Sequence, residues 1–186
     1  QRQMCIRDRD VFSLLDNLLK WTKSQIGKLK VVYQELNMVE VVEGVSEIFT
    51  MVAGLKNIKI VQDMPVVPVV VRADIDMLKT VIRNLISNAI KFSNEGSEVL
   101  VSLTEEDGMA IVSVKDSGCG IDEENQKKLL HTDTHFSTFG TNNEEGSGLG
   151  LLLCQDFIVK NGGKLWFTSK KGEGSTFSFS VPLLEK

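Results

Sequence analysis

A hairpin signature in the middle of the chain restricts the fold more than any other feature. Residues 98–105 and 109–115 alternate apolar and polar side chains, the period that lays one face of a strand against a core. Glu106-Asp107-Gly108 between them is a short turn sequence. Two strands cannot bury a face by themselves, and the neighbouring sequence supplies helices to cover it. Asp74 is placed to cap a helix running to about Phe92, with Ile75, Leu78, Val81, Ile82, Leu85 and Ile86 on one side. Further on, 149–159 has helical spacing and stops at Asn161-Gly162-Gly163, and strands over 164–169 and 175–181 close around Lys171-Gly172. Helices interleaved with paired strands specify an α+β chain, a two-layer α/β sandwich.

Upstream, the spacing predicts a strand over 30–36 and a helix capped by Asn37 that carries Val41, Val45, Ile48, Phe49 and Val52. Short strands are expected over 58–61 and 67–71, separated by a segment with Pro65 and Pro68. Residues 11–28 hold Leu14, Leu15, Leu18, Leu19, Trp21 and Ile26 at roughly helical spacing and end near Gly27, a plausible C-cap. This reads as a linker or partner-facing helix. The first nine residues have no periodicity and no apolar run of a signal peptide, and are read as a non-native scar, with a native frayed helix start as the alternative.

Composition removes whole classes of function. With 186 residues, 42% hydrophobic, 25% charged and a net charge of −4, the chain is no collagen, disulfide scaffold, disordered tail or basic nucleic-acid module. No apolar run reaches the ~18–20 residues of a membrane span; Val66–Val71 is short and broken by Pro68. Cys5, Cys119 and Cys154, odd in number and far apart, point to reduced thiols and a cytoplasmic setting.

Four motifs carry chemistry. Asn84, Asn88 and Lys91 share one face of the helix after Asp74. An Asn carbonyl is a hard oxygen that can ligate magnesium beside phosphates, and a lysine can meet a phosphate; the same residues also suit an ordinary solvated face. Asp116-Ser117-Gly118-Cys119-Gly120-Ile121 follows a strand, so its carboxylate can accept from an exocyclic amine while the glycines admit a ligand to the backbone. A tight turn with a helix cap at Asp122 would use the same residues. Gly146-Ser147-Gly148-Leu149-Gly150-Leu151 opens a helix whose free N–H groups favour phosphate oxygens, or else forms a hinge. Its spacing fits neither a Rossmann fingerprint nor a P-loop. Gly172-Glu173-Gly174-Ser175-Thr176-Phe177 alone would be a hairpin turn. Residues 131–147 form a polar stretch too long for an idle loop.

In this order, Asn84–Phe92, Asp116–Ile121, Phe136–Phe139, Gly146–Leu151 and Gly172–Phe177 resemble the N, G1, F, G2 and G3 boxes of sensor histidine kinases. The resemblance runs from about residue 30 to 186 and implies a Bergerat-type ATP-binding catalytic domain, with helices on one face of a mixed sheet and an ATP lid over about 122–147. Asn88 would ligate Mg2+ with Asn84 in support and Lys91 near the phosphates. Asp116 would read the adenine amine, with Gly118, Gly120 and Ile121 lining the base. Gly146, Gly148, Leu149 and Gly150 would hold the phosphates, and Thr176 would assist at the adenine. Residues 10–29 would be the second helix of the dimerisation and phosphoacceptor domain. The implied reaction is transfer of the ATP γ-phosphoryl group to a histidine on a segment outside this chain, for relay to a response regulator by a homodimeric kinase.

The chain departs from the family pattern in three places. Hydrolytic relatives carry a glutamate base where Asn84 stands, so the residue here favours transfer over water attack. His131 and His135 lie in the lid stretch without an acceptor box and read as surface positions, and the F box matches only in its aromatics. Two alternatives stay open: a serine kinase of the anti-sigma type, and a nucleotide-binding interaction module without catalysis.

Overall fold

A computed structural model describes residues 30–127, 129, 141 and 149–184, together with Leu19 and Thr22. Residues 1–9, the stretch 11–28 where a helix is expected (apart from Leu19 and Thr22), His131, His135, Phe136, Phe139, Gly146 and Gly148 lie outside the described residues.

Strand β1 (Gln34–Asn37) runs straight into helix α1 (Met38–Gly54), because Asn37 both ends the strand and caps the helix, accepting from Val39 N at 3.2 Å. Strands β2 (Lys59–Asp63) and β3 (Val70–Ala73) precede helix α2 (Ile75–Phe92). Asp74 caps α2, its Oδ1 accepting from Asp76 N at 3.0 Å and Met77 N at 3.1 Å. The hairpin follows as β4 (Glu98–Glu106) and β5 (Met109–Asp116), then a single turn, α3 (Glu123–Gln126), capped by Asp122. Helix α4 (Gly150–Lys160) leads to the hairpin of β6 (Lys164–Lys170) and β7 (Gly174–Pro182).

Five strands form one mixed sheet in the order β2-β4-β5-β7-β6, in which only β2 and β4 run parallel. Alternation sends Val99, Val101 and Leu103, Ala110, Val112 and Val114, and Phe177, Phe179 and Val181 to one face, all buried. Helices α1, α2 and α4 cover that face, α2 contributing Met77, Leu78, Val81, Ile82, Leu85, Ile86, Ala89 and Ile90. Each large side chain so buried is worth about 1.5–3 kcal/mol of transfer free energy. The expected two-layer sandwich with helices on one face is therefore the observed one.

Local boundaries differ in instructive ways. The strand expected over 30–36 is confined to 34–37, where it finds a partner in β3 (Gln34 opposite Ala73, Asn37 opposite Val70), while Lys30–Tyr33 pair with no strand. The strand expected over 67–71 begins at Val70, beyond Pro68, and Val69 O instead accepts from Met38 N at 2.8 Å. On α1, Ile48 and Val52 are 60% and 48% exposed, because the core-facing stripe is Met38, Val41, Val42, Val45 and Ala53.

Asn161 ends α4 and also fixes that helix to α2. Its buried side chain donates to Phe157 O at 2.7 Å and accepts from Asp74 N at 2.8 Å. Asn161→Ala strands a buried backbone N–H, and it should lower unfolding free energy by about 2 kcal/mol in urea titrations.

Candidate active site

Three loci converge at one end of the sheet: α2, the glycine turn after β5, and the start of α4. Asn84 and Asn88 lie half-buried on the same side of α2, one turn apart. Asn84 Nδ2 donates to Thr80 O at 3.1 Å, and a Cβ on Gly150 would sit 3.1 Å from Asn84 Oδ1. Gly150 thus lets the first turn of α4 lie against Asn84. The Asn84 side chain also hydrogen-bonds Cys154 of α4, whose thiol burial pushes up to about 12 despite that bond, so this cysteine stays protonated and unreactive. The Lys91 ammonium lies 5.1 Å from the centre of the Phe92 ring.

Residues 142–148 are outside the described ones, but two properties of the α4 start are clear. Leu149 is buried and supplies no side-chain cap, so the first-turn N–H groups of α4 depend on other acceptors. That end of the helix carries the positive end of the macrodipole, which favours an anion.

Asp116 ends β5 only 4% exposed. Its Oδ1 accepts from Gly118 N at 2.9 Å and from Ser175 N at 3.2 Å. Among the described residues no donor reaches Oδ2. Burial raises the carboxyl above its ordinary value, and the two backbone bonds pull it partway back. The outcome is an oriented carboxylate with one oxygen committed to the fold and one left as an acceptor. Gly118 sits so close to α2 that a Cβ would lie 2.7 Å from the Phe92 carbonyl carbon, and Cys119 N donates to Phe92 O at 3.3 Å. On the other side, Gly172 N donates to Cys119 O at 2.7 Å. The turn is held between the end of α2 and the β6–β7 connection, with Gly120 in contact with Lys170. Ile121 N donates to Ser169 Oγ at 2.8 Å, and its partly buried side chain packs on the core.

Thr176 does not join this group. It pairs with Lys115 and Thr168, and strand alternation puts it with Ser178 on the face away from the helices. Ser175, one residue earlier, occupies the Asp116 side: its N–H binds the carboxylate and its Oγ is 2.8 Å from Ser169 Oγ. Strand parity thus turns Ser175, and not Thr176, toward Asp116. Gly146 and Gly148 lie outside the described residues; Asn84 meets Gly150 at the start of α4, Asp116, Gly118, Gly120 and Ile121 gather at the end of β5 with Ser175, and Asn88 lies on α2 between the two groups.

An Asn88 carbonyl suits a magnesium ion that keeps waters and phosphate oxygens in its shell. Among the described residues no three His, Cys, Asp or Glu cluster to hold a metal. That donor set fits an ion that arrives with a polyphosphate and needs no protein cage.

Residues 73–185 match the family described as histidine kinase-, DNA gyrase B-, and HSP90-like ATPase. The adaptive-response sensory kinase SasA of Crocosphaera subtropica is 34% identical over 171 residues, covering 91% of this chain and 44% of that protein. The chain thus spans less than half the length of the curated relatives it matches. The catalytic domain of the histidine kinase ThkA superposes with a TM-score of 0.70 at 30% identity, over 81% of this chain and 95% of that one. ThkA in complex with the response regulator TrrA superposes with a TM-score of 0.76 at 23% identity, over 97% of this chain and 49% of that one.

Proposed function

Because this chain belongs to the histidine kinase-, DNA gyrase B- and HSP90-like ATPase family, in its histidine kinase branch, we propose that it binds Mg-ATP beside α2 and phosphorylates a histidine on another segment. The Asp116 geometry carries this reading. An adenine amine has an acceptor in Oδ2, while Oδ1 is anchored by Gly118 and Ser175. The triphosphate would extend toward Asn88 and the α4 start, with Lys91 within a side chain's swing of it. Asn88 is the residue that would hold magnesium, which would supply charge neutralisation at the phosphates.

In the transfer step an acceptor imidazole nitrogen attacks the γ-phosphorus. The new N–P bond forms as the P–O bond to the β-phosphate breaks, and ADP departs. Such a transfer relies on positioning and charge neutralisation, with little covalent chemistry from the protein. Asn84 supports transfer over hydrolysis, because a neutral amide cannot take a proton from water as a carboxylate would. On this reading residues 30–186 form the catalytic domain and 10–29 belong to the dimerisation helix of a homodimeric, cytoplasmically facing kinase. ThkA, captured with its response regulator, supports a receiver domain as the next acceptor. No helix among the described residues is long and apolar enough to cross a membrane.

Mixing the chain with a purified phosphoacceptor domain and γ-labelled ATP should place acid-labile label on the acceptor histidine. ATP binding with no such label would sink the transfer, and acid-stable phosphoserine would point to the anti-sigma class.

A further inference from the structure

The carboxyl end of α2 is bound by three other parts of the chain. A helix leaves its last carbonyls without partners, and here they are met by tertiary donors. Lys56, in the turn between α1 and β2, donates from Nζ to Ile90 O at 3.0 Å and to Lys91 O at 2.9 Å. Thr141 N donates to Lys91 O at 3.2 Å. Thr141 Oγ1 accepts from Lys56 Nζ at 2.6 Å, and its own proton goes to one of two carbonyls, Ser93 O at 2.9 Å or Lys91 O at 3.1 Å. Phe92 O takes the glycine turn through Cys119 N. A cation at this end also complements the negative pole of the helix, and its bonds to carbonyls are charge-assisted.

The three segments so joined have different roles. The glycine turn lies beside Asp116, Thr141 belongs to the polar stretch ahead of the glycine run, and α2 carries Asn88 and Lys91. Lys56 belongs to none of the nucleotide-binding motifs and comes from the far end of α1. We infer that Lys56 and Thr141 are positioning residues for the nucleotide: they fix the end of α2, whose Phe92 carbonyl holds the glycine turn, and so set how tightly ATP is held. The inference rests on the ATP site proposed above. These bonds of Lys56 and Thr141 run to main-chain carbonyls, not to the side chains of Asn84, Asn88 or Lys91, so the latch governs nucleotide affinity more than the rate of the transfer step.

The test uses the full chain with an acceptor domain, comparing Lys56→Met with Lys56→Arg and Thr141→Val with Thr141→Ser. Lys56→Met and Thr141→Val should each raise the KM for ATP and the ATP dissociation rate about tenfold, with kcat within about twofold of the parent. Arginine keeps the charge and serine keeps the hydroxyl, so both should restore most of the affinity. A purely structural lesion acts differently, reducing the folded fraction and hence kcat while leaving KM unchanged. The threonine pair guards against a Lys56→Met chain that does not fold, since valine matches threonine in shape. Unchanged KM in Thr141→Val overturns the latch alone when the parent binds ATP. A parent that binds no ATP overturns the site and the latch together.

Discussion

Asp116→Asn should abolish ATP binding at ordinary concentrations, weakening it about a hundredfold or more, while leaving the unliganded fold at least as stable as the parent. Asparagine keeps a carbonyl oxygen in the place of Oδ1, so the bonds from Gly118 N and Ser175 N survive. At the Oδ2 position, however, the amide presents N–H groups to an adenine amine that is itself a donor. A buried donor facing a donor loses the hydrogen bond and leaves two groups unsatisfied, a penalty of roughly 3 kcal/mol or more. The stability side follows from burial, which raises the Asp116 carboxyl above its ordinary value of 3.8. An acid whose folded pKa is raised stabilises the fold only while protonated. That contribution is complete below the ordinary value and disappears as pH climbs through the raised one. The variant, with no charge to desolvate, should therefore gain on the parent between about pH 4 and neutrality. Calorimetric titration with ATP and urea melts at both ends of that range check the two halves. An unchanged affinity would remove Asp116 from the adenine site.

Gly174→Ala should damage fold and site together, with a loss of about 3 kcal/mol or more and no detectable ATP binding in whatever remains folded. Gly174 has φ +105°, and a Cβ there would lie 2.9 Å from both the Asp116 carbonyl carbon and Ser117 Cα. Backbone atoms cannot swing aside, so the strain is relieved only by moving the end of β5, which carries Asp116, the proposed adenine acceptor. Gly172→Ala is the matched control. Its φ is +82° but nothing lies within 4 Å of a new Cβ, so it should pay only the left-handed penalty of about 1–2 kcal/mol and keep its ATP affinity. Thermal melts with and without nucleotide separate the two variants. A Gly174→Ala chain that melts like Gly172→Ala would contradict the close approach.

What could be read from the sequence was what depends on near neighbours. The β4–β5 hairpin, the Asp74 and Asn37 caps and the apolar stripe of α2 are set by residues within a few positions of one another, and they stand where the pattern puts them. The boxes likewise bring Asn84, Asp116 and Gly150 to one end of the sheet. Features that depend on distant pairing were not legible. The alternation Phe177, Phe179, Val181 puts Ser175 on the core face, but that it lies beside Asp116 is a matter of β7 register against β5, which the strand alone does not show. Lys30–Tyr33 have a strand-like composition but no partner strand. Ile48 and Val52 fit a helical period, yet the helix turns Met38, Val42 and Ala53 to the core instead. The bond between Lys56 and Thr141 spans 85 residues, and neither residue type announces it.

The sheet order also fixes when the site can exist during folding. The β4–β5 and β6–β7 hairpins close locally, Glu106 pairing with Met109 and Lys170 with Gly174. Asp116 closes one unit and Ser175 opens a strand of the other, and the bond between them crosses 59 residues. Loops of that span close late, after the local units have formed. ATP is then a ligand of the joined sheet and of neither hairpin. At about a hundred times its Kd it should add about 2.7 kcal/mol to global unfolding and leave any half-assembled intermediate where it was.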